Sequence, residues 1–237
     1  MSFSNFRKKL HYSKTPSKSL NIEEIERIVS AANEVPCSEL LKSISNSTVV
    51  INSCCFDFTI RCLHSHDLSS DDKSKVFSLL ENNMKHLYLK SSWGWDEESK
   101  FNEMFAPESR LLLCYPTKSK QICDIGRHKN PPSLNPSDND PCAFVHFRFE
   151  VDARRPVLYC YEIQVLDRIR CMGLGQNLLQ ILYKIAEVNK LTRVMLTVFK
   201  FNSSAYAFFG RNGFKTDSTD LSKEGKSVDY SIMSRRP

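Results

Sequence analysis

The stretch Arg170-Cys171-Met172-Gly173-Leu174-Gly175 has the residue types to hold an anion. Two glycines ahead of an apolar-periodic run open a helix whose first backbone N–H groups carry no side-chain shield. Those donors, with the positive end of the helix dipole, suit a pyrophosphate. Arg168 and Arg170 add positive charge at the same turn. The common phosphate-binding patterns do not fit. A dinucleotide fingerprint needs a third glycine where Leu178 stands, and a P-loop needs Gly-Lys-Ser or Gly-Lys-Thr. On these six residues alone, an ordinary strand-to-helix turn with helix-start glycines stays open.

The elements that must position this turn read clearly on both sides of it. Val157–Leu166 is rich in β-branched and aromatic residues and predicts a strand. After the turn, Leu174, Leu178, Leu182, Ile185 and Ala186 keep to one helical face, while Gln176, Asn177, Gln180 and Lys184 lie mostly on the other. Ala143–Val151 predicts a strand that pairs antiparallel with 157–166 across Asp152–Pro156. Arg193–Phe199 is nearly all apolar, as a buried strand should be. Asn202–Asn212 predicts a short helix closed by Gly213, with strands starting at Phe214 and spanning Val228–Met233.

Upstream, Ile22–Val35 predicts a helix with Ile22, Ile25, Ile28 and Val29 as its apolar stripe, ended by Pro36. Val49–Leu63 reads as strand material and Asp71–Lys90 as a long helix. Trp93-Gly94-Trp95, a short acidic helix near Asp96–Met104 and a strand over Leu111–Tyr115 follow. Residues 1–20 read as a loose basic tail, with a nuclear-targeting or nucleic-acid contact as the alternative. Pro116–Pro141 reads as a polar, Pro-rich excursion. Cys62, His64 and His66 lack a second ligand pair at a usual spacing, and Cys123 with His128 is weaker still, so no metal is expected. The fold class is α/β: a mixed, mostly antiparallel twisted sheet flanked by helices. An N-terminal extension over 1–48 precedes the main domain over 49–237.

The chain has 237 residues, 41% of them hydrophobic and 25% charged, which marks it as globular. A net charge of +6 implies an anionic partner, either nucleic acid or a phosphorylated cofactor. Nine cysteines without an apolar leader segment point to reduced thiols in a cytosolic or nuclear protein. Cys54, Cys55 and Cys160 read as small buried hydrophobes. No run approaches a membrane span.

The Arg-x-x-Gly-x-Gly turn resembles the signature of the Gcn5-related N-acetyltransferases (GNAT), which hold the pyrophosphate of acetyl-CoA. The resemblance runs from Leu111 to Ser234. It tightens at Trp93-Gly94-Trp95, Phe147-Arg148-Phe149, Tyr159-Cys160-Tyr161-Glu162, Val194–Lys200 and Tyr230…Ser234-Arg235-Arg236. Together these are similar to the NatD-type N-terminal α-acetyltransferases, selective for histones H-four and H-two-A, over about 150 residues. That family also carries an N-terminal helical segment. The resemblance implies acetyl-CoA as co-substrate and histone tails beginning Ser-Gly-Arg-Gly as acceptor. It further implies no auxiliary subunit, a monomer, and residence in nucleus and cytoplasm.

By the same resemblance Glu162 is the catalytic carboxylate and Tyr206 the acid for the leaving thiolate. The cofactor would lie on Ile163, Gln164, Val165, Arg170, Cys171, Met172, Gly173, Leu174, Gly175, Gln176 and Asn202. The peptide would lie on Tyr88, Trp93, Glu150, Val151, Asp152, Tyr159, Tyr161, Thr197 and Tyr230. Glu150 and Asp152 match two acidic positions at which the family carries Asp first and Glu second, so charge is kept while reach is exchanged.

The residue types suit that chemistry. An α-amino group ordinarily titrates at roughly pH 7.7–8.0 and is partly free at neutral pH, so one carboxylate, acting directly or through a water, is base enough. A backbone N–H of Ile163–Val165 could serve the developing oxyanion. Glu150, Asp152 and Glu162 could give a net-positive protein an acidic patch for a basic tail. Cys160 and Cys171 have no nearby His to support a covalent acyl-enzyme. Two alternatives stand beside this reading: a lysine or small-amine acetyltransferase of the same fold, and a non-catalytic module binding CoA or nucleic acid.

Overall fold

The computed structural model describes residues 20–42, 50–52, 56–119 and 140–237. The basic tail, Cys54, Cys55, and the excursion from 120 to 139 with Cys123 and His128 lie outside them.

Helix α1 spans Ile22–Glu34, and Asn21 caps it by accepting from the Glu24 N–H at 2.7 Å. Ile25 and Ala32 are buried, whereas Ile22, expected on the stripe, is 42% exposed. Pro36 does end the helix, but it also opens an unexpected one, α2 at Cys37–Lys42. The Pro36 carbonyl accepts from the Glu39 and Leu40 N–H groups. A proline that cannot continue one helix is suited to start the next. Helices α3 (Ser70–Lys90) and α4 (Glu97–Met104) follow the second strand.

Strands β1 (Val50–Asn52), β2 (Phe56–His64), β3 (Arg110–Ser119), β4 (Ala143–Asp152) and β5 (Arg155–Val165) form an antiparallel run. After α5 (Leu174–Val188) come β6 (Arg193–Phe199), α6 (Ser203–Arg211), β7 (Lys215–Thr216) and β8 (Tyr230–Arg235). The sheet order is β1-β2-β3-β4-β5-β6-β8-β7, and β5–β6 is its parallel pair. β3 runs past the expected Tyr115 into the start of the Pro-rich segment.

Helices cover both faces. Leu112 and Cys114 join the layer of α1, α2 and α5, while Leu111 and Leu113 join that of α3 and α4. Such alternation is what a sheet buried on both faces requires. The expected apolar stripe of α5 is buried throughout, and Gln176, Asn177, Gln180 and Lys184 are exposed. The β4–β5 hairpin closes on Ala153 and Arg154, both at positive φ (46° and 59°), the backbone sense of a two-residue turn that matches strand twist.

Arg110 anchors the N-terminal helix to the sheet. Its guanidinium is 1% exposed and donates to Asn33 Oδ1 at 2.9 Å and to the Asn33 carbonyl at 2.7 Å. It also stands 4.9 Å from the Phe149 ring centre. Arg110→Ala removes these bonds and opens a void, and should lower unfolding free energy by about 3 kcal/mol. Asn33→Ala should cost about 1 kcal/mol, and the double variant less than the sum of the two. Denaturant midpoints measure all three. Full additivity would mean that the pair does not act as one anchor.

Candidate active site

β5 and β6 pair from Val157–Cys160 against Arg193–Leu196 and then part, although β5 continues to Val165 and β6 to Phe199. The opening between them is the floor of a cavity of about 900 Å³. That is the size of a cofactor site. Where the strands part, the N–H groups of β5 on the β6 side have no strand partner, so alternate amides of 161–165 face the opening. Ile163, Gln164 and Val165 line it on one side. The start of α5 and Asn202, the N-cap of α6, line it on the other.

The glycine turn lies where sequence expects it, but its two glycines serve different ends. Gly173 caps α5 at φ 84°, a left-handed conformation that costs an L-residue roughly 1–2 kcal/mol. No side chain caps the helix there. Gly175 is small for another reason: a Cβ would meet the Phe208 ring of α6 at 3.2 Å. Arg170, Cys171, Gly173, Leu174, Gly175 and Gln176 line the cavity. Met172 is buried in the core and does not, because Cys171 turns the chain at φ 64°. Arg170 pairs with Asp167 at 2.8 Å and donates to the Val165 carbonyl at 3.2 Å, so it is tied to its own turn.

The opposite wall is set by a one-residue slip in strand pairing. Between β4 and β5 the register steps from His146↔Glu162 to Phe147↔Cys160, leaving Tyr161 as an extra residue on β5. Such a bulge reverses which face the following residues take. Before it, Leu158 and Cys160 face the α5 layer; after it, Ile163 and Val165 do. Glu162 and Gln164 are thereby turned toward α3 and α4.

Three donors meet the Glu162 carboxylate there. Lys100 Nζ lies 2.8 Å from Oε1, the Tyr88 hydroxyl donates to Oε1 at 3.1 Å, and Gln164 Nε2 donates to Oε2 at 2.9 Å. Asn83 Nδ2 donates in turn to Gln164 Oε1 at 3.0 Å. Burial pushes the Tyr88 hydroxyl up, and the Glu162 charge adds to it. Burial alone would lower the Lys100 ammonium, but Glu162, Tyr88 and Glu103 outweigh it and hold it well above its ordinary value. Sequence reading missed Lys100, Asn83 and the Gln164 side chain. The available signal was the spacing Lys100–Glu103–Met104 within α4, a charged pair on the face that carries Met104 into the core.

Tyr88, Trp93, Tyr159, Tyr161 and Thr197 all line the cavity, and the Tyr159 hydroxyl meets Thr197 Oγ1 at 2.5 Å. The other expected peptide contacts do not line it. Tyr230 is 2% exposed behind Trp93, with ring centres 4.9 Å apart. Glu150 lies outside the wall but accepts the hydroxyl of Tyr161, which is in it. Val151 is exposed to solvent. Asp152 is buried and pairs with Arg155, which also holds Asp217 at 2.9 Å. That arginine offsets the charge expected to meet a basic tail. Tyr206 is absent from the wall too. α6 turns Ser204, Ala205, Phe208, Phe209, Arg211 and Asn212 to the cavity, two adjacent rows at helical spacing that leave Tyr206 off the wall and packed on the core. Among the described residues no group of three His, Cys, Asp or Glu could hold a metal ion, and no helix is long and apolar enough to cross a membrane.

Comparison with known proteins bears on this arrangement. The acetyltransferase (GNAT) family pattern matches residues 95–214. Similar solved structures include the GNAT domain of S. lividans PAT, at 10% identity and TM-score 0.54, covering 81% of this chain and 98% of that one. A putative GNAT-family acetyltransferase from Desulfovibrio desulfuricans matches at 13% identity and TM-score 0.51, over 76% and 98%. The NatC complex bound to Gag peptide and CoA matches at 12% identity and TM-score 0.50, also over 76% and 98%. At these identities the likeness is one of fold.

The two cysteines on the cavity wall differ in reactivity. Burial pushes the Cys160 thiol up, and the nearby Glu162 charge pushes it further. Cys171 is exposed. A raised thiol pKa leaves less thiolate at any given pH. At pH 8, alkylation mapped by mass spectrometry should label Cys171 readily and Cys160 at least ~10-fold more slowly. Equal labelling would return Cys160 to consideration as a nucleophile.

Proposed function

The chain belongs to the acetyltransferase (GNAT) family, and from that footing we propose that it acetylates the α-amino group of proteins beginning Ser-Gly-Arg-Gly, the histone tail of NatD-type enzymes, using acetyl-CoA. The observation that carries this reading is the placement of Glu162: a buried carboxylate turned by the Tyr161 bulge into the cavity beside the parted strands. A histone acceptor sets the work of the protein in nucleus and cytoplasm.

The cavity fits the co-substrate on its own features. Side-chain-free N–H groups at the start of α5 suit a pyrophosphate, and the amides of 161–165 that face the opening suit an extended amide-bearing arm. Acetyl-CoA supplies an acetyl thioester. Glu162 orients the acceptor amine and takes its proton, directly or through a water. An amide on the parted edge of β5 donates to the carbonyl oxygen as it gains charge. With Tyr206 turned away, the thiolate's proton is better drawn from the one that Glu162 has accepted than from that hydroxyl. Tyr88, Trp93, Tyr159 and Tyr161 wall the acceptor's first residues. Glu150, reached through the Tyr161 hydroxyl, is the carboxylate for the arginine at the acceptor's third position, a role that Asp152 is too engaged to share.

Three measurements test the reading. Labelled acetyl should pass to a Ser-Gly-Arg-Gly peptide with a free terminus and not to the same peptide blocked there. Transfer to a blocked, lysine-bearing peptide would favour a side-chain acetyltransferase instead. Gly173→Val should abolish acetyl-CoA binding by calorimetry while circular dichroism holds, and unchanged binding would remove the pyrophosphate from this turn. Glu162→Gln should keep the fold and acetyl-CoA binding while kcat drops ~10²–10⁴-fold at pH 7. That loss should shrink above pH ~8, where the amine deprotonates unaided. A loss that stays constant to pH 9.5 would make Glu162 an anchor for the peptide and not the base.

A further inference from the structure

We propose that Lys100 is a positioning residue for this transfer: it gives Glu162 an internal counter-ion that keeps the carboxylate charged inside the cavity and leaves one oxygen open to the acceptor amine. The inference rests on the reading of Glu162 given above, and its test is arranged to be judged apart from it.

The geometry points this way on three counts. First, the pair is closed from water. The side chains of Lys100 and Glu162 are 8% and 4% exposed, and they meet at 2.8 Å. The same ammonium lies 3.2 Å from Glu103 Oε2 and stands 5.0 Å over the Tyr88 ring. Second, the bonds are divided unequally between the two oxygens. Oε1 accepts from both Lys100 and Tyr88, which fills its two lone-pair directions. Oε2 accepts from Gln164 and keeps one direction open. An incoming amine therefore has Oε2 to address. Third, among the described residues no other neighbour supplies a cation in contact. Across β4, His146 is held neutral by burial and by the charges of Arg148 and Lys100. Arg148 lies over the Tyr161 ring, bonded to Ser109 and to the Glu103 carbonyl. From α3 comes the un-ionised Tyr88, from α4 the further carboxylate of Glu103, and from β5 itself the Cys160 thiol, pushed up by burial.

A buried carboxylate that loses its counter-ion resists ionisation, so its pKa rises. Lys100→Met should therefore bias Glu162 toward its protonated form, in which it cannot accept from the amine. Raising the pH should restore it. A lysine that merely filled space would give a loss independent of pH.

The direct readout needs no co-substrate. In free protein with ¹³C-labelled glutamate carboxyls, assigned through Glu162→Gln, the Glu162 titration midpoint should lie higher in Lys100→Met than in wild type. With acetyl-CoA and the Ser-Gly-Arg-Gly peptide, the variant-to-wild-type ratio of kcat is followed across pH beside that of Glu162→Gln, whose profile carries the acceptor's own titration. For Lys100→Met it should be ~10²-fold down at pH 6.5 and approach one by pH 9.5. Adding Glu162→Gln to Lys100→Met should cost no more than Glu162→Gln alone. Lys100→Gln, which keeps a polar head, provides the same comparison if the Met variant proves unstable by thermal melt. An unmoved carboxyl midpoint, a flat ratio across pH, or losses that multiply in the double variant would each overturn the proposal. If wild type acetylates no such peptide, the functional reading fails, while the carboxyl titration still decides whether Lys100 governs Glu162.

Discussion

The site depends on one extra residue in a strand. Strand side chains alternate with period two, so a single inserted residue reverses every orientation that follows it. Tyr161 is that residue. Up to Cys160 the even positions of β5 fill the α5 layer; beyond the bulge the odd positions do. Glu162 and Gln164, which an uninterrupted strand would press into the apolar core, face α3 and α4 instead. The parallel pairing with β6 ends at the same place, opening the floor of the cavity. Chemistry and binding space thus share one cause, and neither could shift without the other.

Charge is handled locally in a protein whose net charge is +6. A buried ion pair is weak as a stabiliser, because removing both charges from water costs about as much as their attraction returns. Placing Lys100 against Glu162 and Glu103 makes sense as preparation of a carboxylate for use. The Arg155 group with Asp152 and Asp217 is of another kind. It sits at the far end of β5, by the hairpin turn, and ties the hairpin to the segment that follows β7. These two clusters explain why acids close together in sequence part company: Glu162 serves the cavity, whereas Asp152 serves the scaffold.

Periodic features were legible in the sequence. The α5 face, the buried β6 strand and the short helix closed by Gly213 follow from spacing and turn chemistry, because core burial imposes them residue by residue. The bulge was not, since a one-residue register slip changes no composition and its flanking residues remain strand-like. Lys100 was hidden inside a short acidic helix, where nothing in the composition marks one lysine as buried. Tyr206 and Tyr230 were named by resemblance, and only the rotation of α6 and the packing behind Trp93 show that they stand off the wall. Ile22 fell on the stripe by periodicity yet is the first residue of α1 and is exposed.

The central claim is that the parting of β5 from β6 receives the cofactor. Amide hydrogen exchange with and without saturating acetyl-CoA tests it most directly. The account predicts slowed exchange at alternate amides of residues 161–165 and in the first turn of α5, with the distant strand β2 unchanged. Slowing elsewhere, with these amides exchanging as fast as in the free protein, would contradict it.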